Sequence, residues 1–376
     1  MRQRLNYWDA AINLVERAGM HIPLSESAGN QESMTNSSRA RLIALDWGTS
    51  SLRAYLLGDS GIVLSERRQS SGVLALTSGA NRAGTDHAQA FERCFEALCG
   101  DWLTLWPNVP VIACGMVGSN QGWVETPYRK LPSDLATAGV LTRVPTKRHS
   151  MVHIIPGLIV DSDLPDVIRG EETQVLGALM SAPRSDPHQS DERIVLLPGT
   201  HSKWVRVSGT TVSAFTTYMT GELYSLLATK STLSLQTVRS QEHDWEAFAR
   251  GLEVAAAPNG GILMTAFSAR TLVMTGKLHP TEIEDYLSGL LIGAEIAGIR
   301  ASWLGEFSGE ILLCGEPDLN DRYRRALKRF GLKVAFETTS AAVAGMWYAA
   351  AEAGLLSESR IRPSQPIQQH PSISKG

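Results

Sequence analysis

The sequence predicts an α/β fold made of two related domains, and three observations carry that prediction. An apolar strand ending in Gly-Thr occurs twice, as RLIALDWGT at 41–49 and ERIVLLPGT at 192–200, at an offset of 151 residues. Each copy continues into a second strand (51–57 and 203–207), a Gly-containing turn (58–61 and 208–210) and a third strand (62–66 and 211–215); paired hairpins opening each half of a chain signal a duplicated unit. The length of 376 residues, with 43% hydrophobic and 19% charged, suits two soluble globular domains with separate cores.

From the N-terminus, residues 1–24 have Leu5, Trp8, Ala11, Ile12 and Val15 on one stripe of an amphipathic helix. A linker rich in Ser, Asn, Glu and Gly follows over 25–38. Residues 1–40 therefore read as an N-terminal extension, helix plus polar linker, ahead of a first domain over 41–190 and a second over 191–356. A strand over 109–114 leads into the loop Met116 to Trp123, and Glu171 opens a helix continuing through Val175-Leu-Gly-Ala-Leu-Met180. In the second half, Thr220-Gly221-Glu222 has the composition of a helix start, and a strand over 310–313 ends at Cys314-Gly-Glu-Pro317. The basic run Arg322 to Arg329 reads as the solvated face of a helix, and the Pro, Ser and Gln of 357–376 as a disordered tail.

Bulk properties exclude several classes. A net charge of −3 gives no footprint for nucleic acid. The cysteines at 94, 99, 114 and 314 form no CxxC and have no His at metal-like spacing, which fits small core residues in a reducing cytoplasm. No apolar run reaches membrane-spanning length, and the N-terminus lacks the pattern of a secretion signal. A homodimer is compatible with the sequence.

Both Gly-Thr turns have the composition of a phosphate cradle, with backbone N–H groups and hydroxyls presented to an anion: Gly48, Thr49, Ser50 and Ser51 in the first, Gly199, Thr200, His201 and Ser202 in the second. Asp46 ends the first strand and reads either as a turn cap or as a carboxylate holding Mg²⁺ through water. No GxxxxGK[ST] and no GxGxxG is present. Glu171 and Glu172 lie in the first turn of their helix, where the dipole favours ionised carboxylates; they read either as ordinary helix acids or as the base of a phosphoryl transfer to an alcohol.

The order of these pieces resembles the superfamily of actin, hexokinase and the heat-shock ATPases, which implies two actin-like (ribonuclease H-like) domains facing each other across a cleft. In that superfamily's hexokinases an Asp-Thr pair before the second phosphate loop carries the base, and Glu172-Thr173 matches it. More narrowly, DWGTSSLRAYL (46–56), CGMVGSNQGWVETPY (114–128), RGEETQVLGAL (169–179), LLPGTHSKWV (196–205), MTGELYSLL (219–227) and LLCGEP (312–317) resemble the 2-dehydro-3-deoxygalactonokinase family over residues 41 to 352. The resemblance implies phosphorylation of the 6-hydroxyl of 2-dehydro-3-deoxy-D-galactonate in galactonate breakdown, with ATP and Mg²⁺. It implies sugar-acid contacts from Met116, Val117, Gly118, Ser119, Gln121, Trp123 and Thr173, with Trp123 reading equally as a core or lid aromatic. Arg169 is the first choice for the substrate carboxylate, ahead of Lys203 and Arg129. Phosphate contacts fall to the two turns and Lys203, and adenosine contacts to Gly315 and Glu316. The second turn has Leu197 where the first has Asp46, and the late turn has one glycine where the superfamily pairs two. A kinase of the same fold for another sugar derivative is the alternative, and a non-enzymatic actin-like assembly protein is the alternative of another class.

Overall fold

The computed structural model describes residues 39–83, 86–136, 141–148, 150–183, 191–257, 261–305, 307–339 and 341–356. Of the expected extension only Arg39 and Ala40 are among them, and the expected tail over 357–376 lies outside. The described residues form two compact units, the first of 39–125, 141–155 and 349–356, the second of 126–136 and 156–348. The sequence division at residue 190 follows the repeat. By contact, the acidic helix expected at Glu171 groups with the second repeat.

In the first unit β1 (Leu42–Trp47), β2 (Leu52–Leu57) and β3 (Val63–Gln69) form an antiparallel meander. β4 (Val111–Cys114) adds parallel to β1, and β8 (Met151–Ile154) adds parallel to β4, with β7 (Thr142–Pro145) antiparallel at the edge. The sheet order is β3-β2-β1-β4-β8-β7. β1 is buried along its length except at Asp46, as a central strand covered on both faces must be. Helices α1 (Val73–Ala83) and α2 (His87–Leu105) complete the unit, and Phe91, Phe95 and Trp102 of α2 pack in one core with Trp47 and Leu45.

The second unit repeats that plan. Its short strands β5 (Arg129–Lys130), β9 (Leu158–Val160) and β10 (Asp166–Ile168) make a three-stranded sheet that leads into α3 (Glu171–Ser181). Its main sheet consists of β11 (Glu192–Leu197), β12 (Ser202–Ser208), β13 (Thr211–Tyr218), β14 (Glu310–Cys314) and β15 (Val334–Thr338), with β6 (Ser133–Asp134) at the edge. The order β13-β12-β11-β14-β15 matches β3-β2-β1-β4-β8, three antiparallel strands followed by two parallel ones. The register matches too, since Ile43 pairs with Val111 and Ile194 with Ile311. The weak internal repeat is thus a duplicated topology.

Helices α4 (Thr220–Lys230), α5 (Trp245–Ala256), α6 (Ile262–Thr265), α7 (Ser268–Met274), α8 (Ile283–Ile299), α9 (Pro317–Arg329) and α10 (Ala341–Glu352) follow the second meander. Among the described residues only the helical stretch Pro280–Leu304 is long and apolar enough to cross a membrane, and 61% of its apolar window is buried, as in an interior helix. Arg322 departs from the expected solvated face: it is buried, and its Nη2 donates to Asp285 Oδ1 at 2.5 Å and to His243 Nδ1 at 2.9 Å. The helix turns this position inward, so the basic run is split between the core and solvent.

Two glycines seat α3. A Cβ on Gly177 would overlap the Ala341 carbonyl, and a Cβ on Gly345 would overlap the Thr173 carbonyl, so α3 and α10 touch backbone to backbone. Glycine inside a helix costs about 1 kcal/mol against alanine, so Gly→Ala should stabilise wherever space allows. Gly79 in α1 has no neighbour within 4 Å of such a Cβ. Gly79→Ala should therefore gain up to about 1 kcal/mol, whereas Gly345→Ala should lose about 1–3 kcal/mol. Urea midpoints of the two variants check the contrast.

Candidate active site

The first turn of α3 holds the two acids in different environments. Gly170 precedes them with φ +107°, a conformation open to glycine, and its N–H donates to Glu172 Oε2 at 2.7 Å. Thr173 Oγ1 donates to Glu172 Oε1 at 2.9 Å. Glu172 is 1% exposed; burial, reinforced by the charge of Glu171, pushes its carboxyl up to about 7. Glu171 instead accepts from the Arg169 backbone N–H at 2.9 Å and lies 3.0 Å from Lys203 Nζ. One acid of the pair is thus neutralised by a lysine and the other is poised near neutrality.

Lys203 links this turn to the second hairpin. It stands on β12 opposite Leu197, as Arg53 stands opposite Asp46 in the first unit. Where the first repeat places an acid 3.7 Å from its arginine, the second has an apolar residue. Lys203 reaches Glu171 and also donates to the His201 carbonyl at 2.8 Å. Thr200 and His201 are exposed at the tip of the turn, and His201 Nε2 lies 2.5 Å from Glu222 Oε2. Ser202 is turned inward: its hydroxyl is fully buried and donates to Glu295 Oε1 at 2.7 Å. The expected hydroxyl-to-phosphate contact from Ser202 is therefore corrected, because that proton is already given to a core carboxylate.

Both hairpins are braced in the same way, the first through Gly72 and Leu74, which the sequence reading left out, and the second through Gly221 and Glu222 of the expected helix start. In the first unit the Thr49 carbonyl accepts the Leu74 N–H at 3.2 Å, and a Cβ on Gly72 would overlap Thr49 and Ser50. In the second the Thr200 carbonyl accepts the Glu222 N–H at 2.9 Å, and a Cβ on Gly221 would overlap Gly199. The signal was present: a glycine follows the third strand in both copies, at Gly72 and Gly221. Each turn is thus held against the start of the next helix, which leaves its outer side open. At Gly48 a Cβ would meet nothing nearer than Ser51 O at 3.7 Å, so space for an approaching group exists there.

Within the first unit, Asp46 is about a quarter exposed and Ser50 and Ser51 are partly exposed beside it. The described residues hold no cluster of three metal-ligating side chains. A single accessible carboxylate fits Mg²⁺, which keeps most of its waters and takes few protein ligands. The loop after β4 tucks in by Ser119 N–H to Met116 O at 3.0 Å and Trp123 N–H to Val117 O at 2.8 Å. Val117, Gly118 and Ser119 are buried, Met116 is half-buried, and Asn120 and Gln121 are exposed. Trp123, expected either at the sugar or as a core aromatic, stands in the core, packed on Trp47, Phe91 and Phe95 at 5.8–6.4 Å between ring centroids.

Arg169 is likewise drawn into the protein. Its guanidinium stacks 4.0 Å over the Tyr128 ring, and it donates to Tyr128 Oη at 3.3 Å, to the Thr126 carbonyl at 2.9 Å and to Thr126 Oγ1. All three nitrogens are engaged, so the first choice for a substrate cation serves as a clamp beneath α3. Arg129 is less committed: it is half-buried and Nη1 donates to Asp134 O at 3.0 Å, while the buried Nε has no hydrogen-bond partner among the described residues. Burial lowers its pKa, and Glu172 is its strongest charge partner. In the same unit Gly315 and Glu316 join β14 to α9, and a Cβ on Gly315 would lie 3.3 Å from Pro198 in the second turn.

Residues 46–349 match the family model described as 2-keto-3-deoxy-galactonokinase. A relative from Rhizobium meliloti (strain 1021), provisionally named 2-dehydro-3-deoxygalactonokinase, is 37% identical over 321 residues, 82% of this chain and 95% of the relative. The 2-dehydro-3-deoxygalactonokinase of Escherichia coli (strain K12) is 36% identical over 298 residues, covering 78% of this chain and 92% of its own. A crystal structure from Sinorhizobium meliloti, assigned provisionally to the same activity, superposes with a TM-score of 0.71 at 34% identity over 82% of this chain and 98% of its own. With the duplicated sheet, the buried glutamate and the braced hairpins in place, this chain belongs to the 2-keto-3-deoxy-galactonokinase family.

Proposed function

We propose that this protein transfers the γ-phosphoryl group of ATP to the 6-hydroxyl of 2-dehydro-3-deoxy-D-galactonate, with Glu172 as general base. Family membership supports the reaction, and the environment of Glu172 supports the assignment of the base. A base works best when its pKa lies near the working pH. Burial gives Glu172 that property, while Glu171 is tied to Lys203. The substrate hydroxyl gives its proton to Glu172 as its oxygen attacks, and Thr173 holds the carboxylate in place by its hydroxyl.

The tips of the turns at Gly48–Ser51 and Gly199–His201 offer backbone N–H groups to the phosphates, with Ser202 anchoring the second from inside. Asp46 is the residue that would hold Mg²⁺, which supplies charge neutralisation on the phosphates. Gly315 and Glu316, at the start of α9, are assigned to the adenosine side. Arg129 replaces Arg169 as the cation for the substrate carboxylate, since it is only half-buried where Arg169 is buried, and Glu172 is its strongest charge partner. Gln121 and the neighbouring Asn120 are assigned to substrate hydroxyls. The four cysteines, buried and outside any disulfide, fit a cytoplasmic enzyme.

Activity should be read first with Mg·ATP in a coupled ADP-release assay across 2-dehydro-3-deoxygalactonate, its gluconate epimer, galactonate, glucose and N-acetylglucosamine. Turnover confined to the 2-dehydro-3-deoxy acids is expected, and turnover of a neutral sugar alone would overturn the substrate. Glu172→Gln should lower kcat by about 10²–10⁴-fold with little change in KM. The profile of kcat/KM against pH should rise through about 7, because the protonated carboxyl cannot accept the hydroxyl proton. Glu171→Gln removes the neighbouring negative charge, so the same limb should move to lower pH. Arg129→Ala should raise KM for the sugar acid at least tenfold, about the loss of one charged hydrogen bond, and leave KM for ATP unchanged.

A further inference from the structure

Glu295 sits near the C-terminal end of the apolar helix α8, 2% exposed, and its partners among the described residues include no cation. A carboxylate in that position would be costly without donors. Four are supplied: Ser202 Oγ and Trp204 Nε1 each donate to Oε1 at 2.7 Å, Tyr323 Oη donates to Oε2 at 2.7 Å, and Thr220 Oγ1 also donates to Oε2. The donors come from β12, α4 and α9, so three elements meet on one side chain of a fourth. Ser202 closes the second hairpin. Thr220 opens the helix whose Gly221 and Glu222 brace that hairpin, and Tyr323 lies on the helix that follows Gly315 and Glu316.

We propose that Glu295 is a positioning residue for nucleotide: its carboxylate sets the second hairpin, the start of α4 and α9 in one fixed arrangement that ATP binding requires. The proposal rests on the kinase reading above, and it concerns the nucleotide, not the sugar acid. Sequence separation argues against a merely local role, since Ser202 and Thr220 lie 93 and 75 residues from Glu295. The charge matters because an acceptor-only group can take four donors at once. A glutamine cannot. Trp204 Nε1 can only donate, so the amide oxygen must face Trp204 and Ser202 and the NH₂ must face Thr220 and Tyr323, both of which must reverse their hydroxyls. Glu295→Gln therefore keeps the hairpin link and exchanges the charge-assisted links to α4 and α9 for weaker neutral ones, which hold only if both hydroxyls turn round.

The test measures ADP binding by calorimetry, together with KM for ATP and for the sugar acid, in the wild type, Glu295→Gln and Thr220→Val. Thr220→Val removes one donor at nearly constant volume and leaves the carboxylate three others, so it should fold if Glu295→Gln does not. In each folded variant ADP affinity should fall, and KM for ATP should rise, about tenfold or more, the scale of one charge-assisted bond, with KM for the sugar acid within twofold of wild type. Lower melting temperature with unchanged ADP affinity and unchanged KM for ATP would make Glu295 a purely structural residue and overturn the proposal. An equal rise in both KM values would overturn it as well. If the wild type neither binds ADP nor turns over ATP, the kinase reading falls and this proposal falls with it; a wild type that does both while the variants match it sinks the proposal alone.

Discussion

A carboxyl group shut away from water resists ionisation, and the first turn of α3 puts Glu172 in that position while Glu171 stays within reach of Lys203. Much of the second unit serves this difference between adjacent residues. The Gly177 and Gly345 contacts let α10 lie against α3 without a side chain between them, and Arg169 fastens the approach to the helix on Tyr128 and Thr126. The Lys203 bridge ties the same turn to the hairpin that bears Thr200 and His201. The acidic turn and the second hairpin are therefore joined through one strand, β12, rather than by separate loops.

Much of this was legible before any coordinates. The repeat at 41–49 and 192–200 could be read because a buried central strand must be a continuous apolar run, and its end at Gly-Thr marks the turn. The acidic helix could be read because α3 begins at the residue the pattern indicated. What escaped depends on orientation and on distant contacts. Trp123, Ser202 and Arg169 have residue types suited to ligand binding, but packing turns each inward, and sequence does not specify which way a loop side chain faces. α3 groups with the second repeat because its seat, Ala341 to Gly345, lies more than 160 residues away along the chain. Glu295 was hidden inside an apolar stretch where a single acid looks like noise.

Buried charge is handled in two ways in the second unit. Arg322 and Asp285 neutralise one another at 2.5 Å beside Trp245 and Phe248. Glu295 is surrounded by neutral donors. An ion pair fixes two groups against each other and is worth little once both have been desolvated. A carboxylate ringed by four donors ties together as many side chains as it has partners, and that suits a place where several elements converge.

The four cysteines share one property with practical weight. All are buried and none is in a disulfide, and burial pushes Cys94 up to about 11, Cys314 up to about 12 and Cys99 higher still. Because the thiolate is the nucleophile, these groups are nearly silent toward alkylating reagents and mild oxidants while the fold is closed. Two of them, Cys94 and Cys99, report on α2 of the first unit, and Cys314 reports on the central strand β14 of the second. The molecule thus carries its own opening clock, in which the order of thiol capture records which core comes apart first.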